Sequence, residues 1–140
     1  MALSFLGGLL NGPIQETEYR RVFALLMQQR ADAIIVNDTP ENYTNERVII
    51  ELAAAARLPT VYPNRSFVEL GGLMPYGADT VALLRHAADQ IDQILKGAKP
   101  GDIPFYQATT FEMAINLKIA RGLDLTIPPS LLARADEVIE

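Results

Sequence analysis

Seven polar side chains have the types and spacing to do chemistry: Asp38, Thr39, Asn42, Asn64, Arg65, Tyr76 and Asp79. They fall at or just after short apolar or β-forming runs, next to predicted helix starts. In an open α/β sheet, ligands sit beyond the carboxyl ends of the strands, so these seven converge if the runs are neighbouring parallel strands. They combine acid, amide, hydroxyl, guanidinium and phenol, with no nucleophile beside a base. That mixture suits recognition of a small polar or zwitterionic ligand better than bond breaking. Arg65 suits a ligand carboxylate, because a guanidinium grips one through two parallel hydrogen bonds. The same residue types also serve local architecture. Asp38 and Thr39 suit a helix cap, and Asn64 and Arg65 suit a turn carrying surface charge.

Other chemistries find no footing. The sequence has no glycine-rich phosphate loop, no nucleophile elbow and no paired metal ligands. Gly7-Gly8 lacks the rest of a dinucleotide fingerprint. With no cysteine and one histidine, His86, the chain has no disulfide, no thiolate metal site and no multi-histidine site of its own. Neither a metal nor a cofactor is expected, and no catalytic residue is assigned. Glu16 with Glu18 and Asp89 with Asp92 read as solvated helix faces. A net charge of −5 argues against a nucleic-acid partner, which would call for a basic patch.

The elements that must position these residues follow from patterning. Ala33 to Val36 is apolar without alternation, which predicts a strand buried on both faces of a parallel sheet. Thr39-Pro40 then opens a helix predicted to run to about Ala56, with Val48, Ile49, Leu52, Ala53 and Ala56 inward. Thr60 to Tyr62 is a third short strand. Ser66 and Glu69 have capping-box spacing, placing a short helix over Phe67 to Leu70. Leu73 to Tyr76 is a fourth strand, and Asp79 caps a long helix. Val81, Leu84, Ala88, Ile91 and Leu95 form that helix's stripe for burial, with His86 near the opposite, solvent-facing side. Ile103 to Ala108 contains Pro104 and reads as an edge strand or extended segment. Thr109 and Glu112 offer a capping box for a helix ending near Gly122, and Pro128-Pro129-Ser130 starts a last amphipathic segment.

Upstream, Ala2 to Leu6 reads as a strand, Gly7 to Pro13 as a loop, and Thr17 as the cap of a helix with Tyr19, Val22, Phe23, Leu26 and Met27 on one face. The β-α alternation predicts an α/β fold, a mainly parallel sheet flanked by helices. It brings the loops at 37–42, 63–66 and 76–79 to one edge. At 140 residues and 49% hydrophobic content the chain can bury a real core. No stretch is long enough for a membrane span, and the apolar start lacks the basic residues of an export signal.

Two longer stretches carry a resemblance. RVIIELAAAARLPTVYPNRSFVELGGLMPYG is similar to the second half of ABC transporter substrate-binding proteins, and INLKIARGLDLTIPPSLLARADEVIE resembles their C-terminal end. The particular family is the largely uncharacterised one that includes tryptophan and tyrosine transport binding proteins. The resemblance runs from about Gly12 to Glu140 and implies a type I periplasmic-binding fold: two lobes, a hinge, and a ligand in the cleft. It implies a non-catalytic substrate-binding component of an importer, a small solute such as an amino acid, an ABC permease as partner, and a periplasmic location. The chain without an export signal would be cytoplasmic if it were a complete gene product. Ser66 stands where that family usually has an acidic residue, and Asp124 where it usually has glycine.

The resemblance covers only the second lobe, at 1–72, and the return segment, at 73–140, so the chain reads as a piece of a longer protein, a truncated product or a free-standing half. Little affinity is expected from one wall of a cleft. The apolar stripe of the long helix, together with Phe111, Ile115 and Ile119, would lack a partner within the chain, so a homodimer is expected; the alternative is a single compact domain in which these helices fold back onto the sheet. A small α/β enzyme or nucleotide-binding domain is the alternative function.

Overall fold

The computed structural model describes residues 15–140. The expected strand at Ala2 to Leu6 and the loop after it lie outside them.

Helix α1 (Glu16–Gln28) starts two residues earlier than its Thr17 cap predicts, with Gln15 as N-cap. Its Tyr19, Val22 and Phe23 are buried, and Glu16–Arg20 and Glu18–Arg21 ion pairs line its outer face. Strand β1 (Ile34–Ile35) leads into α2 (Pro40–Thr44) and α3 (Glu46–Ala55). The single helix predicted from Pro40 to Ala56 is therefore two. Local side chains cause the break. The Thr44 hydroxyl donates to the Pro40 carbonyl, and the Asn45 amide donates to the Glu41 carbonyl at 2.8 Å. Such bonds compete with the helical ladder, and Asn45 leaves it at φ −113°.

Strand β2 (Thr60–Tyr62), α4 (Arg65–Glu69) and β3 (Met74–Ala78) follow. The cap of α4 is Asn64 rather than Ser66, its carboxamide oxygen accepting from the Ser66 N–H at 2.9 Å. Then come α5 (Thr80–Leu95), a 3₁₀ turn at Pro100–Asp102, β4 (Phe111–Asn116), α6 (Leu117–Gly122), α7 (Pro129–Leu132) and β5 (Glu137–Ile139).

The sheet order is β1-β2-β3-β4-β5. The first three strands are parallel, β4 is antiparallel to β3, and β5 is parallel to β4. The mainly parallel α/β sheet is as expected, with a reversal at β4. Residues 111–116 were expected to open a helix. They form a strand instead, because Ala78 and Tyr76 pair with Phe111 and Met113 on one side while Glu137 to Ile139 pair with Ala114 to Asn116 on the other. Two ladders outweigh a local capping signal. The helix begins only at Leu117, where the buried Asn116 side chain accepts from the Ile119 N–H. Ile103 to Ala108 carries no sheet pairing.

The core gathers Tyr19 and Phe23 from α1, Ile49, Ile50 and Ala53 from α3, Tyr62 from β2 and Phe67 from α4. Phe67 is fully buried and stacks on Tyr62 with ring centres 5.0 Å apart. Four expectations about burial fail. β1 is not buried on both faces: Ile34 packs on the core, but Ile35 is 67% exposed. No residue of α5 is buried. Its inner side holds His86, which is half-buried and stacks on Tyr106 at 3.8 Å rather than facing solvent. Ile115, expected on an unpartnered face, is fully buried in β4. Asp124 has φ +58°, a left-handed backbone that glycine adopts without cost, and its carboxylate meets Arg57 at 2.7 Å.

Candidate functional site

Because β1, β2 and β3 are adjacent and parallel, their carboxyl ends emerge along one edge. The loops holding Asp38, Asn64 and Asp79 follow these strands directly. The end of β3 touches the loop after β2. A Cβ on Gly77 would lie 1.9 Å from the Pro63 carbonyl oxygen, so only a hydrogen at this position lets the ends of β2 and β3 close together.

Asp38 is exposed in the loop after β1. The Tyr43 phenol lies near Asp38 and Asn64; burial first, and then the neighbouring Asp38 carboxylate, raise that phenol above its ordinary pKa. Asp38, Tyr43 and Asn64 thus make one cluster across the β1 and β2 loops. Thr39 is the N-cap of α2, its hydroxyl accepting from the Asn42 N–H at 3.4 Å. Asn42 ties elements together. It accepts from the Tyr19 hydroxyl at 3.0 Å and donates to the Asn37 carbonyl at 2.9 Å. Both residues are therefore engaged in architecture.

Asn64 caps α4 and holds the Ser66 hydroxyl at 2.7 Å, and that hydroxyl also reaches Glu46. An acidic side chain at position 66 would face the Glu46 carboxylate, so serine suits this neighbourhood. Arg65 is not an open guanidinium. It pairs with Glu69 at 3.2 Å and with Glu137 at the start of β5. It lines a shallow cavity of about 90 Å³ with Pro75, Met113, Glu112, Asp136 and Glu137. Asp136 is held there by the Met113 N–H at 2.8 Å.

Tyr76 projects from β3, half exposed, and stacks on Phe111 of β4 with centres 5.7 Å apart and planes 14° from parallel. Asp79 caps α5, one carboxylate oxygen accepting from the Ala82 N–H at 2.9 Å. The sequence positions thus share one edge but not one pocket: Asp38 joins Asn64, Tyr76 joins Phe111, and Arg65 joins the β5 carboxylates.

Three participants had weak or no signal. Tyr43 lies four residues after Thr39, one helical turn on, and was legible as a neighbour. Phe111 and Glu137 reach the edge only through the antiparallel β4 and the β5 pairing. Carboxylates outnumber cations here, so the edge offers acceptors to an ammonium more readily than donors to a carboxylate. Among the described residues no group of acids and histidine is arranged to hold a metal, and no helix is long and apolar enough to cross a membrane. A second, larger cavity of about 260 Å³ lies at the opposite edge of the sheet between α3 and α6, lined largely by apolar side chains, with Arg57 and Lys118 also present.

Three solved structures resemble this chain. An ABC domain from Streptococcus pneumonia, determined in complex with L-Trp, is 31% identical with a TM-score of 0.77; the match covers 89% of this chain and 43% of that one. A conserved domain protein from Vibrio cholerae is 25% identical with a TM-score of 0.78, over 89% of this chain and 42% of that one. The ligand-free, open structure of a substrate binding protein with adhesive properties from Clostridium difficile shares the fold at 18% identity and a TM-score of 0.62, over 89% and 41%. The chain therefore spans less than half the length of these structures. No curated protein matches it. The family model described as ABC transporter substrate binding protein matches residues 14–139, which is nearly all of the chain, and the chain belongs to that family.

Proposed function

We propose that this chain forms one wall of a solute-binding cleft that serves an ABC permease, and that it holds its ligand without transforming it. The solute proposed is a small ammonium-bearing molecule, with an aromatic amino acid as first candidate. The observation that carries this reading is the common edge of β1, β2 and β3, where Asp38 with Tyr43 and Asn64 lies in the same row of loops as the exposed Tyr76–Phe111 pair. A carboxylate suits a ligand ammonium, and an exposed stacked ring pair suits a third ring. The L-Trp complex of the Streptococcus pneumonia domain supports the choice of an aromatic amino acid.

In this reading Asp38 contacts the ammonium, Tyr76 stacks on the side chain, and Asp79 contributes its second carboxylate oxygen. Arg65 takes a ligand carboxylate only by releasing Glu69 or Glu137. Thr39, Asn42 and Asn64 hold the loops in place. Closure of a facing lobe supplies the other wall and excludes water. The edge has no nucleophile–histidine pair, since His86 is engaged with Tyr106.

Calorimetry against a panel of aromatic and branched amino acids tests this. One wall buries too little of a ligand for high affinity, so dissociation constants weaker than about 100 μM are expected. Tight 1:1 binding by a monomer would show a complete site in these residues and overturn the one-wall reading.

A further inference from the structure

The cavity of about 260 Å³ between α3 and α6 is built by the strand directions. β2 and β3 start at this edge, and β4, being antiparallel, ends here and runs into α6. All of its lining residues belong to the described chain, and the proposed cleft lies at the other edge. Its floor is apolar toward a ligand. Leu58, Thr60, Tyr62 and Leu73 are buried there. The Thr60 hydroxyl donates to the Leu58 carbonyl at 3.0 Å, and among the described residues no buried side-chain polar atom lacks a partner. Late carbonyls of α3, α4 and α6, those of Ala53, Phe67 and Ala120, are taken by the N–H groups of Leu58, Gly72 and Leu125.

The rim is different. Arg57, just past the end of α3, and Lys118, on α6, are both exposed there. Lys118 makes no ion pair among the described residues, and Arg57 gives Asp124 a single Nη at 2.7 Å. Two cations thus meet one carboxylate at this mouth, in a chain whose net charge is −5.

We propose that this cavity is a second ligand site, for a small apolar monocarboxylate. Its hydrocarbon lies on the Leu58, Tyr62 and Leu73 floor, and its carboxylate lies between Arg57 and Lys118. Size and charge select that class. An apolar cavity of about 150 Å³ holds benzene, so this one takes about ten non-hydrogen atoms, the size of phenylacetate. A carboxylate joins the open donors of Arg57 and the unpaired Lys118. An ammonium would find only Asp124, already held by Arg57. This inference does not depend on the solute reading, because the two edges carry different amides.

Titration of the isotope-labelled 140-residue chain with phenylacetate, followed by amide chemical shifts, tests it. The expected dissociation constant is about 1 mM, ordinary for a ligand of this size, with shifts concentrated at 53–58, 71–73 and 118–124. 2-Phenylethanol and phenethylamine keep the ring and replace the carboxylate by a hydroxyl and an ammonium. They bind at least about threefold more weakly. Lys118→Gln weakens phenylacetate about threefold. Asp124→Asn removes the competing carboxylate, keeps a residue that tolerates positive φ, and strengthens binding by about as much. Both side chains are exposed, and unchanged shifts elsewhere check that each variant keeps the fold. Absence of shifts at those residues at about 20 mM phenylacetate overturns the site. Equal binding of the alcohol or the amine, or no gain in Asp124→Asn, overturns the carboxylate assignment.

Discussion

Replacing Gly77 by alanine tests whether the end of β3 meets the loop after β2 as described. The new Cβ would sit 1.9 Å from the Pro63 carbonyl oxygen and 3.0 Å from its carbonyl carbon. Ordinary contact begins more than an ångström farther out, and the obstacle is backbone, which cannot swing away as a side-chain tip can. Either the end of β3 retreats from β2 or the Pro63 peptide tilts, and both spoil the parallel pairing of Tyr62 with Pro75. Overpacking of this kind costs about 3 kcal/mol, at the upper end of its usual range because the clash is with backbone. For a domain of this length that lowers Tm by roughly 10 °C. Gly101→Ala is the control, since nothing lies within 4 Å of a Cβ there and its φ is not positive. Thermal unfolding followed by circular dichroism, at one protein concentration for all variants, reads the difference. A Gly77→Ala melting curve within about 2 °C of the native one would refute the close approach, and with it the common edge.

Two further outcomes follow. The buried Tyr62 phenol is pushed up to about 12, chiefly by burial. A raised folded value means stability is fully present below the unfolded pKa near 10 and is lost as pH rises through about 12, a loss of about 2–3 kcal/mol for full ionisation. Tyr62→Phe should therefore move the alkaline unfolding midpoint upward, and an unchanged midpoint would mean that another group governs it. Asp79→Ala removes the acceptor for the Ala82 N–H and should cost about 1 kcal/mol in urea unfolding, whereas Asp79→Asn keeps the cap and should cost only a few tenths.

Some of this architecture was legible because local chemistry decides it. Thr60 to Tyr62 is a run of β-formers fenced by Pro59 and Pro63, and the strand has those bounds. Asp79 before an amphipathic run marks the start of α5, as observed. Elsewhere the deciding partner is distant in sequence. Phe111, Ile115 and Ile119 fit a helical period, while Met113 and Ile115 fit a strand. Pairing with Tyr76 and Val138 makes the choice, and no local window contains both. Arg65 looked like an open cation because Glu137, its partner, lies on the last strand. The long helix illustrates a different limit. Its stripe at 81, 84, 88, 91 and 95 was read as a buried face, yet none of it is buried by the described residues, because periodicity says which side of a helix is apolar and not what covers it. Asp124 is the converse case: a resemblance that expects glycine there has its physical reason in the positive φ.

The central claim is that the carboxyl edge of β1, β2 and β3 is a ligand wall. Titration of the isotope-labelled chain with L-tryptophan, up to several millimolar and followed by amide chemical shifts, tests it directly, because it maps even weak contact. The account predicts fast-exchange shifts concentrated at 37–43, 62–66 and 76–79 and at Phe111, with those shifts diminished in Tyr76→Ala and Asp38→Asn. Shifts confined to the opposite edge, around Leu58, Lys118 and Leu123, or no shift from any aromatic amino acid, would contradict it.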